Sequence, residues 1–492
     1  MKTNGAIGLA VALGVAWSAW AGEPPHLQQK GTSTQLIVDG KPFLMLGGEV
    51  HNSSSASLDY MAKIWPKLKA LNLNTAVAPI SWDQLEPAEG RFDFSLTDGL
   101  LEQARAYDMK LVILWFGSWK NGESSYVPDW VKRDTQRFPR AHGSSNRNTK
   151  GILSTLSAAN RDADAKAFAA LMRHLKSVDG RRHTVLMVQV ENEVGIHPEI
   201  RDCSETADAA FRAAVPKTLT DYLCAHRASL HPELLKRWGA GGFKTEGAWG
   251  EVFGNSPDAD EVFSVWCYAA YIEAVVRAGK AEYALPMYVN AWLPHPSGKL
   301  GNYPNGGPVP HMLDVWRAAA PAVDVFAPDI YLPDFKGVCA EYTRNGNPLL
   351  IPEARRDEDA CARAYWAFGR HGALCFSPFG IESVADDHPL RDAYALLAQL
   401  SPAISEAQGT GRMTAVFQQD EGVAEETVPV GTWNARVRFS KDCLQKGCKP
   451  AAILIQTGAE EFIVAGQGVG VSFWTREKGP PLTDLLSVEM GR

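Results

Sequence analysis

Eight short apolar runs, separated by longer stretches of mixed polarity, limit what this chain can fold into. They are "FLMLGGEV" (43–50), "TAVAPI" (75–80), "LVILWF" (111–116), "VLMVQVEN" (185–192), "PMYVNAW" (286–292), "VFAPDIY" (325–331), "LLIPEA" (349–354) and "ALCFSPFG" (373–380). Continuous apolar runs of this length are expected of parallel strands covered on both faces. Most of the intervening stretches carry a helical apolar stripe, as in "LDYMAKIWPKLKALN", "LTDGLLEQARAYDM", "DADAKAFAALMRHLKS" and "DEDACARAYWAFGRHG". Eight strand–helix units in one stretch predict an α/β chain folded as a (β/α)8 TIM barrel. A doubly wound sheet would need a glycine-rich phosphate turn after the first strand, and "GGEVHNSS" does not match G-x-G-x-x-G.

Three departures from this rhythm set the domain boundaries. Residues 1–21 combine an early lysine, an apolar stretch and Ala19-Trp20-Ala21, the pattern of a cleaved signal peptide, so the protein is expected to be exported, to the periplasm or beyond. The barrel is expected over 27–403, with a helical insertion at about 199–282 after the fourth strand. From 404 to 492 the runs "MTAVFQQD", "AAILIQTG" and "EEFIVAGQGVGVSFW" are short and broken by Gly and Asp, which predicts a small antiparallel β-domain. Its last residues, "LLSVEMGR", carry no clear turn or cap and leave the completeness of that domain open.

Composition excludes some partners. The net charge is −7 with no Lys/Arg run, which argues against nucleic acid, and no later segment reaches the roughly 18 apolar residues of a membrane span. The eight cysteines, Cys203 to Cys448, lack the CxxC spacing of a zinc site, so no metal and no cofactor are expected. Cys443 and Cys448 are close enough for a hairpin bridge, but spacing does not assign the pairing. Oligomeric state is not legible.

Catalytic groups of such a barrel sit at the C-terminal ends of its strands. The fourth run ends "VENEV" and the seventh "IPEAR", so Glu193 and Glu353 are expected to face each other across the mouth. Two facing carboxyl groups are what glycosidic cleavage needs, one protonated to release the leaving oxygen and one ionised to attack the sugar carbon. Glu191, two residues before Glu193, is expected to share its face if the strand continues, in a supporting role. Arg355 and Arg356 are candidate ion-pair partners of Glu353.

At these residues the chain resembles clan A of the retaining glycoside hydrolases. Within it, "VQVENEVG" and "LNTAVAPISWDQLEPAEGRFDFS" (71–95) resemble glycoside hydrolase family 35, the β-galactosidases, over residues 30 to 400. The resemblance implies that Glu193 is the acid/base, Glu353 the nucleophile and Asn192 a donor to the sugar 2-hydroxyl. Val194 stands where many members have Tyr, and "WFGSWKNGESSYVPDWVK" looks more like a bacterial branch with xyloglucan-active members.

Aromatic faces stack on pyranoses while a few polar groups fix orientation. By their places at strand ends, Trp119, Asn121, Trp292, Tyr331 and Glu49 are expected to contact the sugar, Tyr331 also hydrogen-bonding the nucleophile. Trp82 and Trp115 suit the core equally well, and His51 suits packing better than contact. The reading is thus an exported retaining exo-β-galactosidase acting on a carbohydrate with terminal β-galactose. The rivals are another clan A β-glycosidase, such as a β-glucosidase or a mannan-active enzyme, and a carbohydrate-binding protein without catalysis.

Overall fold

The computed structural model describes residues 22–144, 148–445, 447–476 and 487–491. The expected signal peptide, residues 1–21, lies outside them. The eight apolar runs form eight parallel strands: β1 (Met45–Glu49), β2 (Thr75–Ser81), β3 (Lys110–Lys120), β4 (Val185–Asn192), β5 (Met287–Trp292), β6 (Val325–Ile330), β7 (Leu350–Ile351 and Glu353–Ala354) and β8 (Cys375–Phe376). Each pairs with the next, and β8 returns to β1, closing the barrel. Strand β7 is split at Pro352, which has no N–H to give; its first half pairs with β8 and its second with β6.

Two apolar layers hold the barrel. Inside it, Met45, Val77, Val112, Leu114, Phe116 and Tyr288 pack together with Leu36 and Val38. The last two belong to an N-terminal antiparallel sheet (His26–Lys30, Ser33–Val38, Lys41–Pro42) that plugs the end opposite the mouth. Outside, the other strand faces meet a ring of helices that includes Leu58–Ala70, Ser95–Ala106, Ala158–Asp179 and Ala360–His371.

Five helices lie between β4 and β5. The last, Pro257–Glu282, packs on Ala158–Asp179 and is the barrel's own fourth helix. The added material is therefore narrower than the expected 199–282, four short helices from Glu205 to Phe253. Its pattern misleads because Pro257–Glu282 is covered on several sides and shows no clean stripe.

The C-terminal part is two three-stranded antiparallel sheets, Met413–Phe417 with Ala451–Gln456 and Phe462–Gln467, and Glu425–Val430 with Trp433–Phe439 and Val469–Thr475. Val416, Ala452 and Leu454 of the first pack on Val428, Val430 and Val437 of the second. The outer face of the first sheet lies on helix Ala360–His371 at Gly369, where a Cβ would stand 2.7 Å from that of Ala415. The Sγ atoms of Cys443 and Cys448 lie 2.6 Å apart. Among the described residues no helix is long and apolar enough to cross a membrane.

The entry of β4 is fixed by one carboxylate. Buried Asp179 accepts from the backbone N–H of Thr184 (3.0 Å) and Val185 (2.7 Å) and from Arg105 (2.7 Å). Asp179→Ala leaves these donors unmatched and should lower stability by about 3 kcal/mol. Thermal unfolding of the variant against the wild-type chain measures it; an unchanged midpoint would refute this role.

Candidate active site

Strand β4 loses its alternation just where its charged residues begin. Glu191 (φ 62°) and Glu193 (φ 45°) both adopt left-handed backbone, which costs on the order of 1–3 kcal/mol for a residue with a Cβ. The reversal sends the two glutamates apart, which corrects the expectation of a shared face. Glu191 points outward and accepts from the backbone N–H of Ser118 (3.0 Å) and Trp119 (2.7 Å), holding the end of β3 beside Asp164. Burial and then the Asp164 carboxylate push the Glu191 carboxyl well above its ordinary range. It is a structural residue of the strand ends.

Glu193 points into the mouth. Its backbone N–H donates to Asn290 Oδ1 on β5 (2.9 Å), and Asn290 Nδ2 donates to Asp329 Oδ2 on β6 (2.7 Å). Asn121, also left-handed at φ 53°, donates through Nδ2 to Glu193 Oε2 at 2.5 Å. Opposite, Glu353 accepts from Tyr331 OH (2.7 Å) and Asn192 Nδ2 (3.3 Å). One carboxylate oxygen from each of Glu193, Asp329 and Glu353 lies within 4.8 Å of the others. Three such oxygens could by number hold a cation, but Lys120 stands beside them with a positive charge of its own.

Enclosure at this distance is costly for charge. Burial first, then the Glu353 carboxylate, push Glu193 up to about 8, against the opposing charge of Lys120. Burial and the same neighbouring carboxylates raise Asp329 well above its usual range, and Glu49 likewise.

The other expected site residues divide. Glu49 ends β1, fully buried and within the field of the Glu353 and Glu193 carboxylates. Tyr331 and Trp292 keep ring surface at the mouth, 37% and 41% exposed. Trp119 does not reach the site: β3 runs on through Lys120, so Trp119 remains an outward strand residue, 1% exposed against Tyr268 and Tyr271. Trp82 and Trp115 are core residues, their indole N–H groups spent on Glu86 and Asp164. His51 packs edge-on to Phe379 and hydrogen-bonds Ser383. Arg355 and Arg356 do not pair with Glu353; they donate to the carbonyls of Tyr331 and Phe379.

Lys120, Asn290 and Asp329 were missed. Asp329 carried the same signal as Glu193, a carboxylate ending an apolar run, in "VFAPDIY". Lys120 and Asn290 had no such signal; only closure of the barrel gives them a role.

A closed parallel barrel with opposed carboxylates at its C-terminal mouth is an arrangement suited to glycosidic cleavage. A family model described as "Beta-galactosidase", of glycoside hydrolase family 42, matches residues 55–238. That span includes Glu193 but not Glu353. A second, described as "Domain of unknown function (DUF5597)", matches residues 390–492, the last barrel helix and the C-terminal sheets. A β-galactosidase of Xanthomonas manihotis is 30% identical over 202 residues, which are 39% of this chain and 30% of that protein. The solved β-galactosidase of Bacillus circulans sp. alkalophilus superposes with a TM-score of 0.50 at 15% identity, over 74% of this chain and 57% of its own. The matches thus span less than two thirds of these relatives' length. Residues 55–238 are similar in sequence to β-galactosidases, and the barrel shares its fold with a solved one.

The raised Glu193 couples the site to stability. Its folded form holds a proton that the unfolded chain releases near pH 4.3, so its contribution is complete below that pH and is lost as pH rises towards about 8. Glu193→Gln, which stays neutral, should therefore be more stable than the wild type at pH 8, by a few kcal/mol at about 1.4 kcal/mol per pKa unit. The advantage should vanish by pH 4. Equal unfolding midpoints at both pH values would show that Glu193 is not held protonated.

Proposed function

We propose that the protein is an exported, retaining exo-β-galactosidase. It removes terminal β-linked galactose from oligo- or polysaccharides, plant xyloglucan among them, by double displacement with Glu193 and Glu353. The observation that carries this reading is the approach of their carboxylate oxygens to within 4.8 Å. Oxygens no farther apart than that suit direct attack by the second carboxylate, as in retaining enzymes, whose carboxyl groups stand about 5–5.5 Å apart; an inverting enzyme needs about 6.5–9.5 Å to seat a water.

The roles follow from the surroundings. Glu193, pushed up to about 8, keeps a proton at neutral pH and suits the acid that protonates the leaving oxygen. Glu353 receives donors on both oxygens, from Tyr331 and Asn192, an environment fitted to a nucleophile. After attack, Glu193 as base draws a proton from water that releases the sugar from Glu353. Asn192, already beside Glu353, can pass its amide to the sugar 2-hydroxyl. Trp292, at the end of β5, offers an exposed indole face for stacking.

Galactose as the sugar is supported by the similarity to β-galactosidases, read in two ways over overlapping residues. One is the family 42 match over residues 55–238; the other is the family 35 pattern at 71–95 and 185–195. Exo action is proposed on the ribbon Gly195–Ile196 with Asn305–Gly306, which follows Glu193 directly at the β4–β5 side. Export rests on the pattern of residues 1–21, and xyloglucan on the bacterial-branch resemblance.

Azide separates the two glutamates. Glu193→Ala should still glycosylate with an activated aryl β-galactoside, and added azide should then attack the covalent intermediate to give β-galactosyl azide. Glu353→Ala should lose turnover of every substrate, and any azide product should be α, because azide then occupies the vacated nucleophile's face. Proton NMR of the anomeric signal decides; the reverse stereochemistry would mean the roles are exchanged.

A further inference from the structure

The barrel interior holds a second set of polar groups that the two-glutamate reaction does not use. Glu49 is 0% exposed, and neither of its carboxyl oxygens has a hydrogen-bond partner among the described residues. Lys120 is 6% exposed, and among the described residues no ion pair or side-chain hydrogen bond reaches its Nζ, which lies 5.4 Å from the centroid of the Phe116 ring. Phe116 belongs to the cluster inside the barrel, so the ammonium is inside as well. The register agrees. Lys120 on β3 pairs with Asn192 on β4, and residues paired across parallel strands share a face. Asn192 spends its amide N–H on Glu353, so that face is the mouth.

These two are not alone. Tyr288 OH, Ser377 Oγ, Asn192 Oδ1 and Asp329 Oδ1 are also buried without a partner among the described residues. An unmatched buried hydroxyl or amide costs roughly 1–3 kcal/mol, and a buried charge more; Glu49, Tyr288 and Asp329 lie close enough to feel one another's charge, and such a group points to a ligand that completes it. The chemistry of the set says which kind. Lys120, Tyr288 and Ser377 can donate; Glu49, Asn192 and Asp329 can accept. An anion would satisfy only the donors, and a cation only the acceptors. A run of hydroxyls, each both donor and acceptor, satisfies both.

We propose that Lys120 and Glu49 are specificity-determining residues that bind the free ring hydroxyls of a neutral terminal sugar, on the side away from the carbon that reacts. The proposal rests on the glycosidase reading and deepens it. A sugar substituted at those hydroxyls has no place for the substituent, so the substrate is an undecorated terminal residue. The charge state fits this use. The Lys120 ammonium opposes the rise that burial and the carboxylates of Glu353 and Glu193 impose on Glu49, so the pair sits as a donor-rich cation beside a carboxyl group able to give or take a hydrogen bond.

A thermodynamic cycle tests it. Aryl β-galactosides lacking one hydroxyl at a time, at C3, C4 or C6, are compared with the parent by kcat/KM in the wild type and in Lys120→Met and Glu49→Leu. In the wild type at least one deoxygenation should lower kcat/KM by roughly 100-fold or more, as in sites built to hold a hydroxyl. In the variant that has lost the partner, that penalty should shrink to about threefold or less, because the contact is already gone. A merely structural role would lower all substrates alike and leave the penalties unchanged, which would overturn the proposal. Should the variants not fold, the wild-type series decides alone, and penalties below threefold at all three positions refute it. A wild-type protein that cleaves no aryl β-glycoside refutes the glycosidase reading itself; one that cleaves them with additive penalties refutes only this inference.

Discussion

Three carboxylate oxygens held within 4.8 Å of one another, from Glu193, Asp329 and Glu353, are the arrangement the rest of the structure serves. Unopposed, like charges at this distance in a dry site drive one another to protonate or move apart. They stay together because donors are aimed at them from separate strands: Asn121 from beyond β3, Asn192 from β4, Asn290 from β5 and Tyr331 from beyond β6. The result is a division of labour between chemically identical groups. Glu193, its rise led by burial, holds a proton, while Glu353 is met by donors on both oxygens.

Holding those donors in place is a matter of backbone as much as of side chains. Glu191, Glu193 and Asn121 all take left-handed backbone beside the site. Such conformations persist only where the surroundings over-determine them. Here the surroundings are explicit: the Glu191 carboxylate ties down the backbone of Ser118 and Trp119, and the Asp329–Asn290 pair ties down the N–H of Glu193. Strain at the ends of β3 and β4 is thus offset by hydrogen bonds that only a closed barrel can bring together. The two apolar layers, one inside the strands and one under the helices, supply the rigid frame for this arrangement.

The chain's own pattern determined a good deal. All eight apolar runs became barrel strands, several within a residue or two of the expected ends, because continuous apolar character is a local property that burial on two faces demands. The carboxylates ending β4 and β7 were legible for the same reason, since charge at the end of a buried run is locally anomalous. Tertiary structure decided the rest. Whether Glu191 turns in or out depends on a left-handed residue that period-two reasoning cannot foresee, and it turned out. Trp119 went to the core because β3 is longer than its apolar run, and Lys120 came into the mouth by the same extension. Asn290, Lys120 and the open valences around Glu49 acquire meaning only from neighbours distant in sequence. Alternation and burial are written along one strand, whereas hydrogen-bond partners and the fields of neighbouring charges are set between strands that only barrel closure brings face to face.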